Sequence, residues 1–337
     1  MQTVFVSGAT GFLGSYICRY LIDQGYSVVG LKRHTSSMQL VEDIHDRINW
    51  AVGDILDIPF LEETLSGVDA VIHAAAMISF KPSERETMMK VNVEGTSNMV
   101  NVCLALNISR FIQISSIAAI GRNKYQPKID ESISWGNSDL NSHYAISKFK
   151  SECEVWRGME EGLNAAILNP SVIIGAGDWN SGSCLLVKQV ADGLSFYPIG
   201  ETGFVDVRDV ARASIGLMES SIHGERYIVN GFNTSYRIFF QQMASRLGVN
   251  PPKREAKQWM LRSISYMLAF ISVFTRKSPL VTKEIIRNVS SKFEYSNKKI
   301  IQDLAFTFTD SDVTIQQTAD SYLQSSKQGK TYSVWKS

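Results

Sequence analysis

The sequence predicts an α/β protein: a doubly wound parallel sheet with a smaller, mostly helical lobe. Three observations carry that expectation. Short β-branched runs alternate with longer amphipathic patterns through the first half of the chain. A glycine-rich turn follows the first run and opens the first helical pattern. Beyond Pro170 the alternation stops and helical patterns dominate.

Taken in order, the strand Val4-Phe5-Val6 leads into the periodic stretch Phe12 to Gln24. Strand patterns follow at Ser27 to Leu31, Asn49 to Val52 and Ala70 to Ile72. A long helical pattern covers Ser83 to Leu106, and Phe111 to Ile114 reads as the next strand. After a polar loop come a helix over Ser142 to Glu161 and a strand over Ala165 to Leu168. Right-handed crossovers between such strands put helices on both faces of the sheet. Past Pro170, Gly175 to Gly182 is a glycine-rich loop, Phe204 to Val207 a short strand and Asp209 to Glu219 a helix. Four further helical patterns lie near 235–247, 255–274, 281–290 and 312–324. No internal repeat and no low-complexity linker separates the halves. The expected division is therefore 1–172 with 204–230 for the sheet domain, and 173–203 with 231–337 for the second lobe.

A chain of 337 residues, 44% hydrophobic and 20% charged, can bury a core without a metal or disulfide staple, and it is not disordered or fibrous. Its 34 basic and 33 acidic residues leave a net charge of +1 with no long block of either sign, which argues against a general nucleic-acid binder. Cys18, Cys103, Cys153 and Cys184 are scattered and form no CxxC pair. Three of them fall in helical patterns, where a buried free thiol is expected, so the reading is a cytoplasmic protein with no metal site. Thr3 to Val6 reads as a strand with no basic n-region or cleavable apolar segment, so no leader is expected. Trp259 to Phe274 is the most apolar stretch, but it contains Arg262 and three serines and is too short and too polar to span about 30 Å of hydrocarbon. A buried or subunit-contact helix is expected there, with attachment to a membrane surface as the second reading.

The turn Gly8 to Gly14, with Thr10, Phe12 and Leu13 between its glycines, has the context of a dinucleotide site. Gly8 permits the tight turn, Gly11 lets the backbone approach a pyrophosphate, and Gly14 packs helix on strand. The helix N-terminus then faces the phosphates. The end of the second strand selects the cofactor. Lys32 and Arg33 stand there, with no carboxylate until Glu42, so NADP(H) is expected over NAD(H).

Tyr144 and Lys148 lie four residues apart at the start of a helix, on one face. A cation beside a phenol brings its pKa towards the working range of an acid–base catalyst. The chain repeats the spacing at Tyr295 and Lys299, in the second lobe with no serine-bearing strand end before it, and that copy reads as structural. Ser115 and Ser116 end a strand 28 residues before Tyr144 (144 minus 116), where a hydroxyl can donate to a carbonyl oxygen. No GxSxG elbow suggests a nucleophilic serine, and His143 reads as a helix-terminus residue.

Together these segments resemble the extended short-chain dehydrogenases/reductases of the NAD-dependent epimerase/dehydratase group. The resemblance rests on the three glycines, Gly53-Asp54-Ile55-Leu56-Asp57, His73-Ala74-Ala75-Ala76, Asn92-Val93-Glu94-Gly95-Thr96, Ser115-Ser116, Tyr144 with Lys148, Asn169-Pro170 and Phe204 to Val210. It is nearest to the dihydroflavonol reductase and 3β-hydroxysteroid dehydrogenase branch, where Arg33 falls at the NADP-selecting position. The resemblance implies a Rossmann-type dinucleotide domain with a substrate-binding lobe. It implies that Ser116 orients a substrate carbonyl, Tyr144 is the general acid/base, and Lys148 holds the nicotinamide ribose and lowers the tyrosine pKa. Asp54 and Ile55 would flank the adenine, Ala74, Ala75 and Ala76 the ribose and pyrophosphate, and Pro170 and Val172 the nicotinamide.

The sequence departs from parts of the family. Ser116 is followed by Ile117 and Ala118 where dehydratases carry an Asp-Glu pair, and Gly200 to Gly203 lacks the arginine with which sugar-nucleotide members bind a diphosphate. Met77, Phe80, Ile117, Trp179 and Phe204 are instead expected to form an apolar substrate cleft. The expected activity is hydride transfer between NADP and an apolar ketone, aldehyde or secondary alcohol. A nucleotide-sugar epimerase with tightly bound NAD(P) and a non-catalytic NADP sensor are the alternatives. Arg208 and Arg237 are the two residues that could admit a phosphate. The helices at 83–106 and 142–161 form a dimer contact in many relatives, so a homodimer is open to this chain.

Overall fold

The computed structural model describes residues 2–123, 127–257 and 283–335. The apolar stretch Trp259 to Phe274 lies outside them. Seven strands form the main sheet: β1 (Thr3–Ser7), β2 (Ser27–Lys32), β3 (Asn49–Val52), β4 (Ala70–His73), β5 (Arg110–Ile114), β7 (Ala165–Pro170) and β11 (Glu225–Val229). Their order is β3-β2-β1-β4-β5-β7-β11, and every pairing is parallel. The winding reverses between β1 and β4, and at that point α/β sheets open a crevice beyond the strand ends.

Period-two alternation sends neighbouring side chains to opposite faces. Val4 and Val6 join one core with α1 (Phe12–Asp23) and α7 (Val207–Glu219), through Ile17, Leu21 and Val210. Phe5 joins the other with α2 (Ile58–Leu65), α4 (Gly95–Ala105) and α5 (His143–Glu160), through Leu61, Met99 and Val155. The helical pattern from Ser83 to Leu106 is not one uniform helix. It runs as a 3-10 turn at Pro82–Glu84, α3 (Arg85–Met89), a π-helical turn at Lys90–Glu94, and α4. Such turns are frequent at functional sites. Here the turn carries the buried Asn92.

The second lobe holds α6 (Cys184–Ala191), α8 (Tyr236–Leu247) and α11 (Ser311–Lys327) around Val187, Phe239, Met243 and Ile315. The strand expected at Phe204 to Val207 is β10 (Glu201–Asp206). It lies outside the main sheet, in a three-stranded one with β8 (Val172–Ile174) and β12 (Phe232–Ser235). Shorter pieces complete the chain: β6 (Lys128–Ile129) pairs with β14 (Glu294–Tyr295), and β9 (Phe196–Tyr197) with β13 (Arg254–Glu255). The helices α9 (Lys283–Ser290) and α10 (Lys298–Leu304) flank β14.

The β10–α7 junction joins the lobes. Asp206 caps α7 by accepting from the Arg208 N–H at 2.8 Å, and its other oxygen accepts from Thr314 Oγ1 of α11 at 3.0 Å. Asp209 accepts from the N–H and hydroxyl of Thr309, both at 2.8 Å. Arg208 pairs with Asp206 and stacks 4.0 Å above the Trp335 ring. One thiol departs from the sequence reading. Cys18 and Cys103 are buried, but Cys153 is exposed, because the inward stripe of α5 falls on Glu152 instead. Among the described residues no helix is long and apolar enough to cross a membrane.

Candidate active site

The turn from β1 into α1 depends on its glycines. Gly8 sits at φ +71, in the left-handed region, and the Gly11 N–H closes the turn on the Gly8 carbonyl at 2.9 Å. A Cβ on Gly14 would stand 2.0 Å from that same carbonyl oxygen, so only glycine lets α1 come this close. The helix then starts with no side-chain cap and no acidic residue in its first turn, which leaves its leading N–H groups for an anion.

Beside this turn lies a cavity of about 510 Å³. Its walls are Gly8, Thr10 and Gly11, then Lys32 and Arg33 at the end of β2, Asp54 and Ile55 after β3, and Ala74 to Met77 after β4. Phe12, Leu13 and Gly14 lie behind it in the first turn of α1. Five of its lining residues were not among the candidate site residues: Leu31 and Gly53, which the sequence reading placed only in a strand and in the family pattern, and Ser36, Thr87 and Val91. Ser36 gave no signal in the sequence. Thr87 and Val91 are one helical turn apart, and that spacing could have exposed them. Ser36 Oγ accepts from the Arg33 N–H at 3.0 Å, which leaves its own hydroxyl hydrogen to donate. Lys32 rests its ammonium 5.4 Å above the Trp50 ring.

A buried hydrogen-bond chain fixes the floor of this cavity. The Ala75 N–H donates to Ser7 Oγ at 3.1 Å, and Ser7 lies 2.7 Å from His73 Nδ1. His73 Nε2 is 3.2 Å from Thr96 Oγ1, which donates to the Asn92 carbonyl at 2.7 Å. Thr96 is thus the acceptor from His73, so the imidazole proton is on Nε2 and Ser7 donates to Nδ1. Burial, helped by the Lys148 charge, lowers the His73 pKa to about 3 and keeps the ring neutral. Asn92 clamps Met77 from both sides, accepting from its N–H at 2.7 Å and donating to its carbonyl at 2.9 Å, and it also donates to Ser147 of α5. Asn92 stands in the sequence pattern, but only the π-helical turn reveals this clamp.

Ser116, Tyr144 and Lys148 lie farther along the same sheet edge, past the ends of β4 and β5. Ser142 caps α5 by accepting from the Ala145 N–H at 3.1 Å, which sets Tyr144 and Lys148 on its first two turns. Lys148 Nζ donates to the Ile114 carbonyl at the end of β5, at 2.9 Å. Burial pushes the Tyr144 phenol up to about 12, and the Ser116 side chain works against it. The Lys148 ammonium is directed at the Ile114 carbonyl. Burial draws Lys148 itself down to about 8, against the pull of Glu152. His143 opens α5 and meets Glu284 at 3.5 Å, in keeping with a helix-terminus residue. Pro170 ends β7 and Val172 opens β8.

The expected substrate residues divide. Met77 lines the cavity, and Phe80 meets the Tyr144 ring edge-on at 6.1 Å. Trp179 and Phe204 are buried and are not among the residues lining this cavity. Trp179 is buried with its indole N–H on Ser325 Oγ at 2.8 Å, and Phe204 stacks on Phe239 at 4.4 Å, because both rings pack in the core around α6, α8 and α11. Ile117 is likewise buried, with Ile120, Ile228 and Tyr295. The repeated Tyr–Lys spacing is structural: Tyr295 is buried in β14 beside Arg122, and Lys299 pairs with Glu225. Arg208 is held by Asp206 and Trp335, and the exposed Arg237 lies over Tyr197.

Residues 4–230 match the NAD dependent epimerase/dehydratase family. A putative dihydroflavonol 4-reductase of Synechocystis sp. is 28% identical over 306 residues, 89% of this chain and 88% of that protein. Cinnamoyl-CoA reductase 1 of Petunia hybrida is 28% identical over 67% of this chain and 72% of its own length. The crystal structure of gox2253 superposes with a TM-score of 0.82 at 28% identity, covering 96% of this chain and 98% of that one.

Proposed function

Because the chain belongs to the NAD-dependent epimerase/dehydratase family of extended short-chain dehydrogenases/reductases, and is an NAD(P)-dependent enzyme of oxidoreductase type, we propose that it is an NADP-dependent reductase of apolar ketones or aldehydes, or of the matching alcohols in reverse. The observation that carries this reading is the alignment of two chemistries along one sheet edge. An anion-ready helix terminus with Lys32, Arg33 and Ser36 stands at one end, and Ser116, Tyr144 and Lys148 stand at the other.

The residues fit the cofactor. The uncapped N–H groups of α1 suit a pyrophosphate, and two cations with a free hydroxyl suit a ribose 2′-phosphate better than a bare hydroxyl. Asp54 and Ile55 would flank the adenine, Ala74 to Ala76 the adjoining ribose, and Pro170 and Val172 the nicotinamide. Lys148, whose ammonium spends one proton on Ile114, keeps two for the nicotinamide ribose. When bound, the nicotinamide supplies or accepts the hydride.

The chain's own residues handle the proton. Tyr144 carries it at neutral pH, since burial holds the phenol up at about 12. In reduction Tyr144 donates its Oη proton to the carbonyl oxygen as charge develops there, while Ser116 donates a second hydrogen bond to the same oxygen. In the reverse direction the phenolate accepts the alcohol proton. Met77, the exposed Ile78 and Phe80 offer apolar surface next to these groups. Ile117 and Ala118 cannot supply a dehydratase's acid pair, and Arg208 is committed to Asp206. The two reductases among the relatives agree with this reading. The test is turnover of a panel of aromatic and alicyclic carbonyl compounds with added NADPH. Tyr144→Phe is expected to bind NADPH normally and lose roughly 100-fold or more in turnover. An active Tyr144→Phe protein, or turnover of nucleotide sugars without added cofactor, refutes the reading.

A further inference from the structure

Tyr144, Lys148 and Glu152 form one stripe of α5, four residues apart, descending from the cleft into the protein. Tyr144 is half-buried, and Lys148 and Glu152 are only 3% and 1% exposed. A carboxylate this deep is costly unless its oxygens are matched. Glu152 Oε1 accepts from Asn169 Nδ2 at 2.5 Å, and the same amide donates to the Ser116 carbonyl at 2.9 Å. Oε2 has no hydrogen-bond partner, and Arg226 NH1 approaches it only to 3.6 Å.

We propose that Glu152 is a positioning residue of this site: a buried counter-charge that keeps Lys148 an ammonium and, through Asn169, fixes the Ser115–Ser116 corner. The proposal rests on the reading of Ser116, Tyr144 and Lys148 given above, and adds what holds them in place. The groups facing Glu152 come from each packed element. Lys148 lies above it on α5, Arg226 comes from β11, and Ser115 and Asn169 come from the ends of β5 and β7. On β4, His73 is neutral and faces Lys148. Arg226 divides its attention, donating to the Glu131 carbonyl at 2.7 Å and the Ile133 carbonyl at 3.0 Å. The carboxylate of Glu131 is taken by the Ile228 N–H at 2.8 Å. Burial raises the Glu152 pKa as well, and Ser115, Asn169, Arg226 and Lys148 all work against that rise and favour the carboxylate. Glu152 is therefore the carboxylate that opposes the burial of Lys148, which has already drawn that ammonium down to about 8. Without it Lys148 sheds its proton near neutral pH and loses its charge when the site works.

The test reads Lys148 directly. Apo protein carrying ¹³Cε-lysine is titrated from pH 6 to 11, with the Lys148 resonance assigned by its loss in Lys148→Met. In Glu152→Gln the midpoint is expected to fall by about one unit or more, the scale for removing one nearby opposite charge. Arg226→Met removes the cation that competes for the same carboxylate and is expected to move the midpoint upward. Glu152→Asp keeps the charge and should stay nearer the native midpoint than Gln does. An unmoved Lys148 in Glu152→Gln overturns the proposal; if that variant does not fold, an unmoved Lys148 in Arg226→Met overturns it. This titration uses neither substrate nor cofactor, so it stands or falls separately from the Tyr144→Phe turnover test.

Discussion

Gly14→Ala changes one hydrogen into a methyl group at the tightest point of the turn. The new Cβ would lie 2.0 Å from the Gly8 carbonyl oxygen, 2.7 Å from its carbon and 3.0 Å from Ala9 Cα. Carbon contacts relax only near 3.5 Å, so α1 or the turn must move by about 1 Å. Gly8 has little room to retreat, because a Cβ added there would stand only 2.9 Å from the Ala75 nitrogen. Overpacking of this kind costs about 1–3 kcal/mol, and the rigid backbone puts it near the upper end. Alanine's helix preference returns roughly 1 kcal/mol, so a net loss of about 2 kcal/mol is expected. In a chain this long that lowers Tm by on the order of 4 °C. The effect on binding is larger. Shifting the phosphate-facing amides forfeits a hydrogen bond to a charged group, about 1.5–3 kcal/mol, or roughly 10- to 100-fold in NADPH affinity. Calorimetric titration and melting measure both quantities. Gly216→Ala in α7, where a Cβ meets nothing within 4 Å, is the control and should bind normally with a slightly raised Tm. If Gly14→Ala binds NADPH within threefold of the native protein, the account of the turn is wrong.

Three further outcomes are expected. Arg33→Ala should lose about 1.5–3 kcal/mol of NADPH affinity while NADH affinity hardly changes, and equal loss for both cofactors in a titration would remove the basis for NADP selection. Tyr295→Phe should keep activity within about twofold but lower the melting free energy by about 1–3 kcal/mol, since Arg122 loses a buried partner. His73 binds its proton in the unfolded chain near the ordinary pKa of 6.5 but in the folded protein only near 3. The unfolded state thus takes up more protons as pH falls, and stability declines from about pH 6.5 towards 3 by at most about 1.4 kcal/mol per unit from this group. His73→Gln should flatten that slope in a series of melts. An unchanged slope would mean that other groups set the acid limit.

Six of the seven main-sheet strands were legible because parallel strands are buried on both faces and so appear as short, nearly continuous β-branched runs, whereas β11 (Glu225–Val229) was not read. The glycine turn and the positions of Ser116, Tyr144 and Lys148 were legible because each sits at a strand end or helix start, and that context survives in a linear sequence. Side-chain burial in the second lobe was not. Trp179 follows a strand end as cleft aromatics do, Phe204 lies within β10, and nothing local distinguishes a ring stacked on Phe239 from one facing a ligand. The reverse happened on α5, where the polar Glu152 points inward and Cys153 points outward. A buried charge is paired by residues far along the chain, here Asn169 and Arg226, so helical periodicity cannot announce it. The short strands β6, β9, β13 and β14 were missed for a related reason, since each is two residues long and its partner is distant.

The β10–α7 junction sets a timetable for biosynthesis. The strand β11 and the helix α7 of the main sheet are translated only after residues 173–203, and α7 is pinned at its start by Thr309, Thr314 and Trp335. At about 5–20 residues per second, roughly 10–40 s pass between the emergence of α1 and that of α7. Throughout that interval α1 lacks α7 beside it, and Ile17 and Leu21 lack the Val210 side of their core. The nascent sheet also presents an unpaired β7 edge until Val229 has left the ribosome. The contacts at the start of α7 are complete only once Thr309, Thr314 and Trp335 have been made. Chains stalled before Thr309 should therefore be held by chaperones and cut readily by protease within α7, although every residue of the Ser116–Tyr144–Lys148 set has already been made.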